Sequence, residues 1–321
     1  MKRIFMTGIT GLLGTNLANE LLKDEYEITA VVRDTKRYIG KNNSKLKLVQ
    51  CGLFDDYDDH LESADIVIHI AAVTAIRLID HKNFDKINYE GTVRLFRKSE
   101  KYKVKTFIFI STSNTIGYGD MNNPGTENAP VKKPFTNHLY AQSKLKAERF
   151  LIENNQVLNL LIINPAMIIG PYDSKPGSGR IILNALHKSI VFYPPGGKSF
   201  VSVKDVVNAI IQSINLGKNN SRYLISGENL TYLEFYKRLK NITGDSQIFI
   251  KIPAFLLVLL GYLGSALRLL RLKTRLSLPN MQSLCIRNYY SNKKSIQDLQ
   301  LSYHSLDDAI KDAVDYFNKE F

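Results

Sequence analysis

Cysteine is scarce in this 321-residue chain. The two present, Cys51 and Cys285, lie far apart and without metal-like spacing, which excludes a disulfide-stapled or zinc-bound module and implies no metal site. A reducing cytoplasm is the setting this usage points to. No secretory leader is expected from the opening either, because MKRIFMTGITG begins basic but breaks at once into Gly and Thr. The longest apolar run, Ile252 to Leu267, has 16 residues and contains Pro253, Gly261 and Gly264. A spanning helix needs roughly 18 to 20, so none is expected. The formal charge of +13 and pI near 9.5 raise the question of nucleic acid. Basic residues are scattered apart from Arg268 to Arg275, and no face interleaves them with stacking aromatics, so nucleic acid is excluded as a partner. Internal repeats and low-complexity linkers are absent as well.

What is present is a globular composition long enough for one large domain or two modest ones. Short β-rich runs alternate with helical stretches: Arg3 to Met6, a helix from about Leu12, Glu27 to Val32, Leu46 to Val49, Ile66 to Ile70 and Thr106 to Ile110. Runs of Val, Ile and Phe without polar alternation are strands covered on both faces, so the pattern predicts a parallel sheet between helices. Asn159 to Ile163 and Arg222 to Ser226 are further strands, and Gly177 to Gly197 reads as irregular. Ser295 to Phe321 reads as two short helices with a break near Tyr303. The expected fold class is α/β, a Rossmann-type doubly wound parallel sheet with a smaller C-terminal substrate-binding lobe. Residues 1–170 form the dinucleotide domain, about 200–226 return to it, and 171–321 are mainly the lobe. The segment from Ile252 reads first as a buried helix of that lobe. The alternative is an interfacial helix laid on anionic lipid, with peripheral membrane contact through 252–275.

The first strand runs into Thr7-Gly8-Ile9-Thr10-Gly11-Leu12-Leu13-Gly14 and then into a helix bearing Leu17, Leu21 and Leu22. A tight turn at a helix N-terminus offers unpaired amides and a positive dipole end to a pyrophosphate. Glycine is required where a Cβ would strike the phosphates or the neighbouring strand. The second strand ends Val31-Val32-Arg33-Asp34, followed by Lys36. An acidic residue at that tip takes ribose hydroxyls, whereas Arg accommodates a 2′-phosphate, so Arg33 and Lys36 point to NADP, with NAD as the alternative that Asp34 keeps open.

Tyr140-Ala141-Gln142-Ser143-Lys144 opens another helix, and four residues' separation puts Tyr140 and Lys144 on one face. A free phenol has a pKa of about 10, and a neighbouring ammonium favours the phenolate. Upstream, the strand Thr106 to Ile110 delivers Ser111-Thr112-Ser113-Asn114-Thr115 at its C-terminal edge, where ligands of open α/β sheets bind. One of these hydroxyls is expected to face a bound carbonyl or alcohol.

TGITGLLG, DIVIHIAAVT, NYEGTVRLF, FISTSNTIGYG, YAQSK, INPAMIIGP and FVSVKDVVNAI occur in that order, and together they resemble the extended short-chain dehydrogenase/reductase family. The closest branch is that of NAD-dependent epimerase/dehydratase-like and dihydroflavonol-reductase-like proteins. The resemblance implies Tyr140 as acid/base, Lys144 as its partner and Thr112 as the hydroxyl that steadies the substrate oxygen. It implies Gly8, Thr10, Gly11, Leu12, Leu13 and Gly14 at the pyrophosphate, Ala71 and Ala72 beside the ribose, and Pro165 and Ile168 against the nicotinamide. Leu53 joins the cofactor contacts, next to Gly52, which replaces a family Asp near adenine. Asn88 falls on a position that is usually structural. Asn164 stands where Arg is common, and Ser202 and Lys204 replace the usual His and Asp of the lobe segment.

The reaction expected is NADPH-dependent reduction of a carbonyl on a small or apolar molecule, by a monomer or homodimer. One alternative is a nucleotide-sugar epimerase or dehydratase with tightly held NAD, with Arg180, Lys188 or Lys198 anchoring a diphosphate. Another is a non-catalytic dinucleotide-binding protein, since fold does not establish chemistry.

Overall fold

The computed structural model describes residues 1–74, 81–270, 272, 274 and 276–320. In the first half, β1 (Lys2–Thr7), α1 (Leu12–Leu21), β2 (Tyr26–Val32), β3 (Leu46–Gln50), α2 (Asp58–Glu62), β4 (Ile66–His69), α3 (His81–Phe84), α4 (Gly91–Lys101), β5 (Thr106–Ile110), α5 (Leu139–Asn154) and β6 (Asn159–Pro165) follow one another. Then come β7 (Met167–Ile169), α6 (Arg180–Leu183), β8 (Ile190–Tyr193), β9 (Gly197–Ser202), α7 (Val203–Leu216) and β10 (Ser221–Ile225). The chain continues with β11 (Glu228–Thr231), α8 (Tyr232–Thr243), β12 (Ile248–Lys251), α9 (Ala254–Leu269), α10 (Leu278–Cys285), β13 (Arg287–Asn288), α11 (Lys293–Leu299) and α12 (Leu306–Glu320).

Seven strands form one parallel sheet in the order β10-β6-β5-β4-β1-β2-β3. The doubly wound α/β class is therefore observed. Side chains alternate across this sheet as the pleat requires. Ile4, Met6, Ile108 and Ile110 point to the side covered by α1 and α7, where Leu17, Leu21, Val206 and Ile210 meet them. Phe5, Val67, Phe107 and Phe109 point to the other side, against Leu95, Phe96, Ala147 and Leu151 of α4 and α5. Central strands with both faces covered are continuous apolar runs for this reason. The strand order reverses between β1 and β4, which opens a crevice at their C-terminal ends.

The remaining strands make a four-stranded sheet of β11, β9, β13 and β7 and a two-stranded one of β12 and β8. A second core of Ile182, Phe200, Phe235, Ile310 and Phe317 joins the larger of these sheets to α8 and α12.

Three local expectations differ from what is found. Gly177 to Gly197, read as irregular, contains α6 and β8. Asp173 accepts from the amides of Gly177 (3.0 Å) and Gly179 (2.9 Å), which fixes the turn before α6, and β8 pairs with β12. The C-terminal stretch does break around Tyr303, but its second helix, α12, runs 15 residues rather than being short. The segment from Ile252 is helical as α9, yet only Leu257, Gly261 and Gly264 of it are buried. Phe255, Leu256, Leu259, Tyr262, Leu263, Leu267 and Leu269 are exposed, so it is not a buried lobe helix. Of the basic run that follows, Arg271, Lys273 and Arg275 lie outside the described residues.

Candidate active site

The turn between β1 and α1 uses its three glycines differently. Gly8 has φ of +81°, and a Cβ there would meet the Ala71 amide nitrogen at 2.6 Å. A Cβ on Gly14 would lie 2.2 Å from the Gly8 carbonyl oxygen, so α1 approaches β1 only because that atom is absent. At Gly11 the nearest protein atom is the Gly8 oxygen, 3.7 Å away. The protein itself leaves Gly11 unconstrained, with room beside it for a phosphate. Gly11 also begins α1, where no side chain caps the first amides and no acidic residue occupies the first turn. These features fit a dinucleotide. Thr10 and Leu12 are half-buried at the turn, while Leu13 is buried into the core.

Arg33 follows β2 directly and is exposed. Asp34 turns into its own loop, accepting from the Lys36 amide (3.1 Å) and pairing with Arg37 (3.3 Å). Lys36 is exposed beside it. Leu53 packs over the start of α4, where a Cβ on Gly91 would meet its Cδ2 at 2.3 Å.

Beyond β4, Ala71 donates its amide to Thr7 Oγ1 (3.2 Å) and Ala72 is half-buried. Asn88, fully buried, accepts from the Val73 amide (2.7 Å) and donates to the Val73 carbonyl and to Ser143 Oγ, both at 3.0 Å. It ties the loop after β4 to α5, from within a π-helical turn over Asp85–Glu90. Behind the same loop lies His69. Thr92 donates to the Asn88 carbonyl (2.8 Å), so its oxygen accepts from His69 Nε2–H (2.9 Å). That leaves Nδ1 to accept from Thr7 Oγ1 (2.7 Å) and assigns the neutral Nε2–H tautomer. Burial first, and the positive Lys144 second, push the His69 pKa down to about 3.

Tyr140 and Thr112 share a side-chain hydrogen bond. Ser113 bonds instead to Tyr290, and Ser111 Oγ is buried with no hydrogen-bond partner among the described residues. Burial pushes the Tyr140 phenol up to about 12; the Thr112 bond opposes the shift and the Glu148 charge adds to it. Lys144 is buried one helical turn away, donates to the Ile110 carbonyl (2.5 Å) and lies 3.9 Å over the Phe109 ring. Burial pulls its pKa down to about 7, against the Glu148 carboxylate. Desolvation is the first cause of both shifts, and it favours the neutral phenol and the neutral amine.

Glu148 continues the helical face of Tyr140 and Lys144 and went unnoticed in the sequence, although its i+4 spacing from Lys144 was visible. Its Oε1 accepts from Thr115 Oγ1 and Asn164 Nδ2, both at 2.7 Å, and its Oε2 pairs with Arg222 at 2.9 Å. The cation absent at Asn164 is thus supplied by the neighbouring strand β10. Pro165 is buried at the end of β6, and Ile168 packs against the sheet core from β7.

Two cavities flank the Tyr140 to Thr112 contact. One, of about 190 Å³, is lined by Tyr140, His138, Ser265, Arg268, Ser277 and Asn280. The other, of about 130 Å³, is lined by Thr112, Met167, Lys198, Asn288 and Tyr290 among others. Burial lowers Lys198 to about 8 and His138 to about 4, the latter helped by Lys198 and Arg268 and opposed by a hydrogen bond with Asn280. Among the described residues the Lys198 ammonium has no hydrogen-bond or ion-pair partner. No local motif marks Asn280 or Arg268, because only the packing of α9 and α10 brings them here, whereas His138 precedes α5 two residues before Tyr140. Arg180 and Lys188 do not line either cavity.

A family model described as NAD dependent epimerase/dehydratase matches residues 4–226. The chain is 27% identical over 323 residues to a putative dihydroflavonol 4-reductase of Synechocystis sp., covering 98% of this chain and 94% of that protein. It is 28% identical over 323 residues to sterol demethylase protein B of Methylococcus capsulatus, covering 98% of each. The fold matches a crystal structure of UDP-glucuronic acid 4-epimerase from Bacillus cereus in complex with UDP-glucuronic acid and NAD, with a TM-score of 0.77 at 20% identity over 99% of this chain and 100% of the other.

Proposed function

Because the chain belongs to the NAD dependent epimerase/dehydratase family, we propose that it is an NADPH-dependent carbonyl reductase acting on an apolar small molecule. Tyr140 is the acid/base, Thr112 steadies the substrate oxygen, and Lys144 is the electrostatic partner. The carrying observation is a phenol that is protonated at neutral pH, hydrogen-bonded to Thr112 and facing a cavity. Reduction needs this state, since the carbonyl oxygen gains a proton as its carbon gains hydride. The bound cofactor supplies the hydride. Gly8, Thr10, Gly11, Leu12, Leu13 and Gly14 would hold its pyrophosphate and Arg33 and Lys36 its 2′-phosphate. Leu53, Ala71, Ala72, Pro165 and Ile168 would line the rest. Arg33 is exposed at the tip of β2 while Asp34 is engaged in its own turn, which supports NADPH over NADH. Once the proton has left, an ammonium at Lys144 lowers the cost of the phenolate. Residues outside the seven-stranded sheet and its helices, mainly those after 171, are assigned as the substrate lobe. The names of the two curated relatives, one for a dihydroflavonol and one for a sterol, agree with an apolar substrate.

Tyr140→Phe is expected to reduce turnover by about 10²- to 10⁴-fold while leaving NADPH binding intact in a fluorescence titration. Unchanged turnover would remove Tyr140 from the chemistry. A second reading, an epimerase that returns hydride to the same substrate, is favoured by the cationic Lys198 and Arg268 at the cavities, which suit a diphosphate. Purified protein that carries tightly held NAD⁺ and binds UDP-sugars would select it; protein that comes empty and binds NADPH reversibly would select the reductase.

A further inference from the structure

Helix α9 is apolar on both sides. Its inner stripe, Leu257, Gly261 and Gly264, packs on α10 and the segment before it, with Gly261 against Leu278 and Met281 and Gly264 against Leu276. The outer stripe consists of Phe255 (74% exposed), Leu256, Leu259, Tyr262, Leu263 (53%) and Leu267, at helical spacing. A helix apolar all round is ordinarily enclosed by protein or lipid, and this one is on the surface. The chain enters it from β12, where Ile248 and Ile250 are registered against Ile190 and Phe192 of β8. All four are exposed, Ile248 by 65% and Phe192 by 60%, so a cross-strand quartet leads directly into the helix. The sequence around the helix is also basic. Between Asp245 and Asp298 the sequence has no acidic residue, while it carries Lys251, Arg268, Arg271, Lys273, Arg275, Arg287, Lys293 and Lys294. Lys188 and Lys251, both exposed, flank the quartet. No described helix is long and apolar enough to cross a membrane, so the surface has the character of an element that lies in the interface.

The geometry points to the outer face of α9 and the β8–β12 quartet as a docking surface for an anionic lipid bilayer. Apolar side chains enter the headgroup boundary, and Lys188 and Lys251, exposed beside the quartet, meet the lipid charge. Tyr262, apolar in body and polar at its tip, suits that boundary. Ser265 and Arg268, on the inner side of the same helix, line the cavity that contains Tyr140. Docking would therefore place the cavity wall at the membrane surface, where an apolar substrate is concentrated. The surface stands independently of the reaction assigned to Tyr140, and its test measures binding alone.

The full chain is mixed at low salt with vesicles of phosphatidylcholine containing phosphatidylglycerol, or of phosphatidylcholine alone, and floated. It is expected to rise with the anionic vesicles, less with the neutral ones, and to be partly released by high salt. The double variant Leu259→Glu, Leu263→Glu changes only exposed positions, and an unchanged melting temperature would establish that it folds. Its vesicle partition is expected to fall by at least about tenfold. Lys188→Glu with Lys251→Glu is expected to erase the preference for anionic lipid. Absence of flotation at low salt, or flotation indifferent to the Leu259 and Leu263 changes, overturns the proposal. So does a concentration-dependent dimer that those two changes dissolve in a chain that does not float, since the face would then serve a second copy.

Discussion

Tyr140, Lys144 and His69 are three titratable groups whose states follow from desolvation before any partner is considered. Tyr140 and Lys144 keep opposite protonation tendencies, a phenol pushed up to about 12 and an amine pulled down to about 7, because burial penalises whichever form is charged. His69 shows the same rule with a clean test. Its folded pKa is depressed to about 3 from an ordinary 6.5, so the unfolded chain takes up a proton first as pH falls. Stability from this site is fully present above 6.5 and is lost as pH falls toward 3. At pH 5 the loss is about 2 kcal/mol, from roughly 1.5 units at 1.36 kcal/mol each. Denaturant titrations at pH 7 and pH 5 are expected to show His69→Gln with a correspondingly flatter pH dependence than the parent; equal slopes would mean that the imidazole titrates normally. Tyr140 and Lys144 were legible in the sequence because four-residue spacing is a local helical property. Glu148 was not, since a glutamate on a charged helix reads as solvated until Asn164, Thr115 and Arg222 are seen to surround it.

The β1 to α1 turn separates the structural from the ligand-directed use of glycine. Gly14→Ala forces a Cβ to within 2.2 Å of backbone and is expected to cost about 1–3 kcal/mol of stability through displacement of α1. Gly11→Ala meets nothing closer than 3.7 Å, so its melting temperature is expected to stay near that of the parent while NADPH affinity falls. Calorimetry and a cofactor titration on the two variants make the comparison, and a destabilised Gly11→Ala would show that the turn, rather than the ligand, requires glycine there. This element was readable in advance because a strand, a glycine-spaced turn and an amphipathic helix are contiguous. Helix α9 was readable as a helix, with a buried and an interfacial placement both left open: apolar composition is the same for a core helix and an interfacial one, and only the packing of its neighbours distinguishes them.

Across the whole molecule, the Glu148 carboxylate joins α5, β6, β10 and the turn after β5 into one buried polar network. Removing its charge leaves Arg222, itself 26% exposed in its side chain, without its ion pair. Glu148→Gln is expected to cost roughly 2–4 kcal/mol in urea unfolding, less than a fully dry pair because Arg222 reaches water. Since Glu148 also raises the Lys144 pKa, and the ammonium is the form that assists Tyr140, the alkaline-side transition in a pH–rate profile is expected to move to lower pH in this variant. A stability unchanged by the substitution would mean that the network contributes little. The chain by itself determined the parallel sheet, the cofactor turn and the paired phenol and amine, because hydrophobic period, turn chemistry and helical spacing act over a few residues. The tertiary structure alone decided that burial sets the protonation of Tyr140, that Arg222 answers Glu148, and that α9 shows its greasy side to the outside. Each depends on which distant segments exclude water from one another, and no local pattern carries that information.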